Sequence, residues 1–214
     1  MAQQTDDYLV AARAAAELLG RVEVMQRWDE PSALAEMTVG AVAAHLASQV
    51  LSVHAAVTAG TGVSTEQPVS LLEHYQRVRW VRAGIHDEPN VTIRQGAASA
   101  AADGHGSLVA AVQQALGDLG TAFAAGQLPP AMRMPHWDWA VSFDDFLVTR
   151  TMEVVVHADD LAVSVEVEPP ELPESVLGPV LALLVGISLR RHGQAAVVRT
   201  LARRERVPGS IAAF

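Results

Sequence analysis

The 214 residues are half apolar, carry a formal net charge of −9 and include no cysteine, which is enough chain to bury a core in one compact domain but tight for two. The acidic balance argues against a nucleic-acid partner, since duplex binding depends on Lys and Arg neutralising phosphates. Without cysteine there is no disulfide framework, no thiolate metal site and no cysteine nucleophile, so any sulfur chemistry has to come from a bound ligand.

Taken in chain order, residues 5–27 place Leu9, Leu18, Leu19, Val22 and Met25 at helical spacing, with Trp28 and Pro31 marking the exit. Asp6 and Asp7 stand where a secretory signal would carry basic residues ahead of an apolar stretch, so no leader is expected. Thr38 is an N-cap for a helix from Val39 to Ala59 along the stripe Val42, Leu46, Val50, Val53 and Val57, and Gly60 to Gly62 end it. Pro68 stands where a first-turn proline belongs, and Leu71, Leu72, Tyr75, Val78 and Val81 follow at helical intervals to about Ile85. Residues 87–106 read as extended through Val91, Thr92 and Ile93, with a break bracketed by Gly104 and Gly106. A helix resumes at Ser107 and ends near Gly126. The stretch from Gln127 to Ser142 is too proline-rich for a helix and too aromatic for a disordered linker, so it reads as an ordered loop.

Ser142 caps the next helix, with Asp144 and Asp145 in its first turn where the helix dipole favours acids, and this helix runs to about Val165. The run Val176 to Leu189 is interrupted by Gly178, Pro179 and Gly186 and is shorter than the roughly 20 residues that span a bilayer. It reads as a buried helix of a cytoplasmic protein with no membrane partner, followed by a short helix over 195–205. The pattern as a whole is all-α: an up-down four-helix bundle over residues 1–168 with a short helical C-terminal extension over 169–214.

Within the helix that follows Ser142, Glu153 and His157 are four residues apart, about 40° around the axis and one turn along the same face. Both can reach one ion. A carboxylate among Val154, Val155 and Val156 needs a partner, because an unpaired charge in an apolar core is costly; the simplest such partner is an ion pair with His157. The third polar residue in an apolar setting is His45, flanked by Ala41, Ala44 and Ser48, whose small side chains leave room for a cavity over the imidazole. Two histidines and one carboxylate with a position left open form the donor set of catalytic zinc, and of some iron and nickel sites. His54, nine positions after His45, falls on the opposite side of its helix and is a poor co-ligand.

Two segments carry a resemblance. Trp28 with Pro31-Ser-Ala-Leu34 and Met37-Thr-Val-Gly-Ala-Val-Ala-Ala-His-Leu46, and Phe146-Leu-Val-Thr-Arg-Thr-Met-Glu-Val-Val-Val-His-Ala-Asp-Asp-Leu-Ala162, resemble the mycothiol-dependent maleylpyruvate isomerase family of the DinB-like helical superfamily. The resemblance implies a DinB-like bundle with a divalent metal, zinc by first preference, held by His45, Glu153 and His157. It also implies mycothiol as the thiol cofactor and a small electrophile as the co-substrate. The family's isomerase carries a mixed α/β C-terminal domain that supplies an arginine; the residues after His157 here read as helices, and no arginine among them can be matched to it.

The expected activity is therefore a metal-dependent thiol transferase or isomerase. A hydrolase using metal-activated water, with Asp160 as base, and a non-catalytic metal-binding protein are the alternatives. Asp160, three residues beyond His157, either orients that histidine or lies free at the surface. Arg150 either grips a substrate carboxylate or, as the preferred reading, pairs with Asp145 or Glu153. His136, Trp137, Asp138 and Trp139 form either a lid or an anchor to the core. A homodimer is left open.

Overall fold

The structure, a computed structural model, describes residues 2–126, 128–134 and 137–214. His136 of the aromatic loop lies outside the described residues. The chain runs through α1 (Ala2–Leu19), α2 (Val22–Gln26), α3 (Val39–Ala59), α4 (Leu71–Arg77), α5 (Glu88–Ala101), α6 (Gly104–Ala125), α7 (Phe143–Val165), α8 (Glu174–His192) and α9 (Gln194–Ala202). Four short strands, β1 (Val63–Ser64), β2 (Pro68–Val69), β3 (Ala131–Met132) and β4 (Ala140–Ser142), interrupt the helices. The fold is all-α, a DinB-like helical bundle with a small sheet at one end.

The long helices begin and end where their capping residues dictate. The Thr38 hydroxyl accepts from the Ala41 N–H at the start of α3, and Gly60 closes that helix in the left-handed region at φ 67°. The Ser142 hydroxyl accepts from the Asp145 N–H at the start of α7. α3 is the central element, packed against α1, α5, α6 and α7, and α1 packs on α7. Ala11, Ala12, Ala15 and Ala16 of α1 are buried, and their small side chains let the bundle close around Tyr8, Leu46, Phe143, Phe146 and Leu161. At the bundle's end, Gly40 is fixed by a neighbour: a Cβ there would sit 2.6 Å from the Trp28 ring.

Several boundaries differ from the sequence reading. The first expected helix divides at Gly20 into α1 and α2. The helix expected to open at Pro68 and run to about Ile85 spans only Leu71–Arg77: Pro68 lies in β2, Ser70 is the N-cap, and Trp80–Arg82 forms a 3-10 turn instead. Val78 caps α4 in an extended conformation, φ −65° and ψ 130°, and both it and Val81 of the turn are buried. The stretch expected to be extended is helix α5, opened by Pro89 in its first turn and packed on α3.

The expected loop before Ser142 contains β3 and β4. The sheet order is β1-β3-β4-β2, antiparallel except for the parallel β2–β4 pair, with Val63 opposite Met132 and Val69 opposite Val141. This sheet ties the segment before α4 to the segment before α7, and so holds both beside the metal-ligand candidates.

By length and composition α3 and α8 are apolar enough to cross a membrane. In α3, 67% of the apolar window is buried in the bundle; in α8 only 28% is. α8 is therefore not the buried helix expected. It packs Val176, Val180, Leu183 and Ile187 inward against α7 and α4 and leaves Leu181, Val185 and Leu189 exposed.

Candidate metal centre

The facing surfaces of α3 and α7 bring His45, Glu153 and His157 together. One donor atom from each lies within 4.8 Å of the others, and the two imidazole rings are 4.5 Å apart between centroids, nearly perpendicular at 79°. His157 Nε2 meets Glu153 Oε2 at 3.1 Å, and its Nδ1 meets Asp160 Oδ2 at 2.9 Å. The imidazole thus turns one nitrogen toward Glu153 and His45 and the other toward Asp160.

Burial and charge set the protonation states. Burial pulls His45 down, and the charge on His157 pulls it further, to about 4. Burial would lower His157 too, but hydrogen bonds from its two nitrogens to the Asp160 and Glu153 carboxylates outweigh it and hold the group up at about 9. Burial would raise Glu153, yet its hydrogen bond to His157 and that residue's charge bring it down to about 2. At neutral pH the cluster is a neutral imidazole facing a carboxylate–imidazolium pair.

A strut of polar groups holds α3 and α7 in register. The His45 carbonyl accepts from Ser48 Oγ at 2.6 Å and from Gln49 Nε2 at 2.9 Å. Gln49, only 2% exposed, in turn accepts on Oε1 from Arg150 Nη1, and Arg150 Nε donates to Thr149 Oγ1 at 3.1 Å. Arg150 therefore pairs with neither Asp145 nor Glu153, contrary to expectation. Gln49 had a sequence signal that was missed: it sits four residues after His45, on the same helix face.

The triad forms one wall of a cavity of about 280 Å³. Arg150 shares that wall, and Tyr75, Trp80, Trp137, Asn90 and Phe214 close the others. Trp137 is buried, so it anchors its segment and lines the cavity at once, while Asp138 is exposed. Trp139 Nε1 donates to His74 Nδ1 at 3.0 Å; indole can only donate, so that histidine nitrogen is the acceptor. His74 and Tyr75 were not legible as site residues, because α4 is brought to the cavity by tertiary packing, against α8 among others, that no local spacing announces.

Four other histidines among the described residues are engaged elsewhere. His54 meets Asp118 of α6 at 2.9 Å, His105 meets the Leu19 carbonyl, His192 the Ala212 carbonyl, and His86 faces Glu36. The residues at the triad fit a divalent ion: two imidazoles and a carboxylate converge from two helices, and all three line the cavity.

Residues 9–162 match the family described as mycothiol maleylpyruvate isomerase N-terminal domain. The chain belongs to this family. The matched span holds His45, Arg150, Glu153, His157 and Asp160 and ends before α8. No curated protein and no solved structure matches the chain.

Proposed function

We propose that the chain is a mycothiol-dependent thiol transferase or isomerase acting on a small electrophile, with a divalent metal, zinc by preference, held by His45, Glu153 and His157. The convergence of these three side chains on one wall of the 280 Å³ cavity carries the reading. Such an ion lowers the pKa of a thiol brought beside it, so that thiolate is present at neutral pH. That source of nucleophile suits a chain without cysteine.

The chain's own residues then have distinct tasks. Glu153 and the facing nitrogens of His45 and His157 bind. Asp160 accepts from the far nitrogen of His157 and fixes the ring's orientation and tautomer. It does not line the cavity, which favours this orienting role over that of a hydrolytic base. Arg150, fixed by Gln49 and Thr149, presents positive charge to the cavity for a substrate oxygen. Trp80, Trp137 and Phe214 supply an apolar enclosure that limits water. Residues 1–168 make up the metal-binding bundle and 169–214 an appended helical extension, in a cytoplasmic protein.

Metal analysis of the purified chain tests the reading. About one zinc per chain is expected, lost in His45→Ala and in His157→Ala, and mycothiol should protect the loaded protein against heat where unrelated thiols do not. A chain that stays metal-free under loading conditions refutes the proposal.

A further inference from the structure

Tyr75 of α4 lines the cavity that the metal triad also lines, and it is 4% exposed. Its ring is held edge-on by His74 and Trp80, at centroid separations of 4.9 and 6.4 Å, and it belongs to the apolar cluster with Val180, Leu183 and Ile187. Its hydroxyl, however, is buried with no hydrogen-bond partner among the described residues. A buried donor left unpaired costs stability, and native folds retain few of them. The hydroxyl lies within electrostatic reach of the Glu153 carboxylate and the Arg150 guanidinium, two groups that line the same cavity as Tyr75. Arg150 itself has no carboxylate partner among the described residues: Gln49 and Thr149, both neutral, hold it.

From these observations we propose that Tyr75 is a substrate-binding residue whose hydroxyl donates a hydrogen bond to an oxygen of the electrophile, beside the positive charge of Arg150. The proposal deepens the thiol-transfer reading and rests on it for the nature of the co-substrate. It assigns to this site a ligand with an oxygen acceptor at one end and an apolar body lying among Trp80, Trp137 and Phe214.

Benzoate has that shape and serves as the probe. Its binding to the zinc-loaded full chain and to the metal-free chain can be followed through tryptophan fluorescence, because Trp80 and Trp137 line the cavity. Tyr75→Phe keeps the ring and removes only the hydroxyl. Benzoate affinity should fall about tenfold or more, the range of a hydrogen bond to a charged acceptor. Zinc content and protection by mycothiol should stay as in the wild type. The unliganded variant should melt at the same temperature or higher, since no native partner is lost.

Affinities within twofold of each other, no benzoate binding by the wild type, or a variant that melts several degrees lower without ligand each overturn the proposal. So does a loss of mycothiol protection with benzoate binding unchanged, which assigns the hydroxyl to the thiol. A benzoate difference in a chain that takes up neither zinc nor mycothiol defeats the thiol-transfer reading alone.

Discussion

His157 meets Glu153 at 3.1 Å and His54 meets Asp118 at 2.9 Å, so by distance the two contacts are alike. Their surroundings are not. The first pair is 16% and 11% exposed, has a second carboxylate on the far nitrogen and another imidazole beside it, and lines a cavity of about 280 Å³. The second is 27% and 41% exposed and joins α3 to α6 with no third metal-ligating side chain beside it among the described residues. A histidine–carboxylate contact is common; convergence of several donor groups on one cavity is what separates a candidate site from a strut.

Changing the pH presses hardest on this difference. In the metal-free chain His157 holds its proton up to about 9, so an ion must displace it. Zinc affinity should therefore rise about tenfold per pH unit, about a hundredfold between pH 6 and 8, with one proton released per ion, as pH-resolved calorimetry can measure. The same shift runs the other way for the metal-free fold. A raised pKa contributes stability fully below about 6.5, the ordinary histidine value, and that contribution fades as the pH climbs through about 9. A zinc affinity flat across this window contradicts a protonated His157.

Asp160→Asn comes next in size. It keeps the shape but weakens the acceptor on His157, and competition with a chelator should report zinc binding about 10 to 100-fold weaker; an unchanged affinity removes Asp160 from the orienting role. The smallest effect belongs to the other pair. His54→Ala should leave zinc content untouched and cost about 1 kcal/mol or less in chemical denaturation, the range of a partly exposed ion pair. If it releases the metal, the two pairs are not independent.

Much of this was open to reading from the chain. Thr38, Gly60 and Ser142 mark helix ends by hydrogen bonds to residues three to five positions away, so the bounds of α3 and the start of α7 followed from local chemistry alone. The shared face of Glu153 and His157 follows from the helical repeat in the same way. Extended structure over Val91–Ile93 was the natural reading of β-branched residues, yet packing against α3 made them helical. Arg150 has acidic neighbours in sequence, and its nearest geometric partner proved to be a glutamine on another helix.

By itself, then, the sequence determined the helical class, the long helices of the bundle and the choice of His45, Glu153 and His157 as candidate donors, because caps, periodicity and side-chain chemistry act within a few positions. The approach of His45 to His157, the cavity walled by Tyr75 and Trp137, and the half-exposed lie of α8 were decided by tertiary structure. Those features depend on how far one helix slides along another and on a small sheet that joins distant loops. Such offsets are set by the sum of many weak contacts across the whole core, and no single stretch of chain contains that sum.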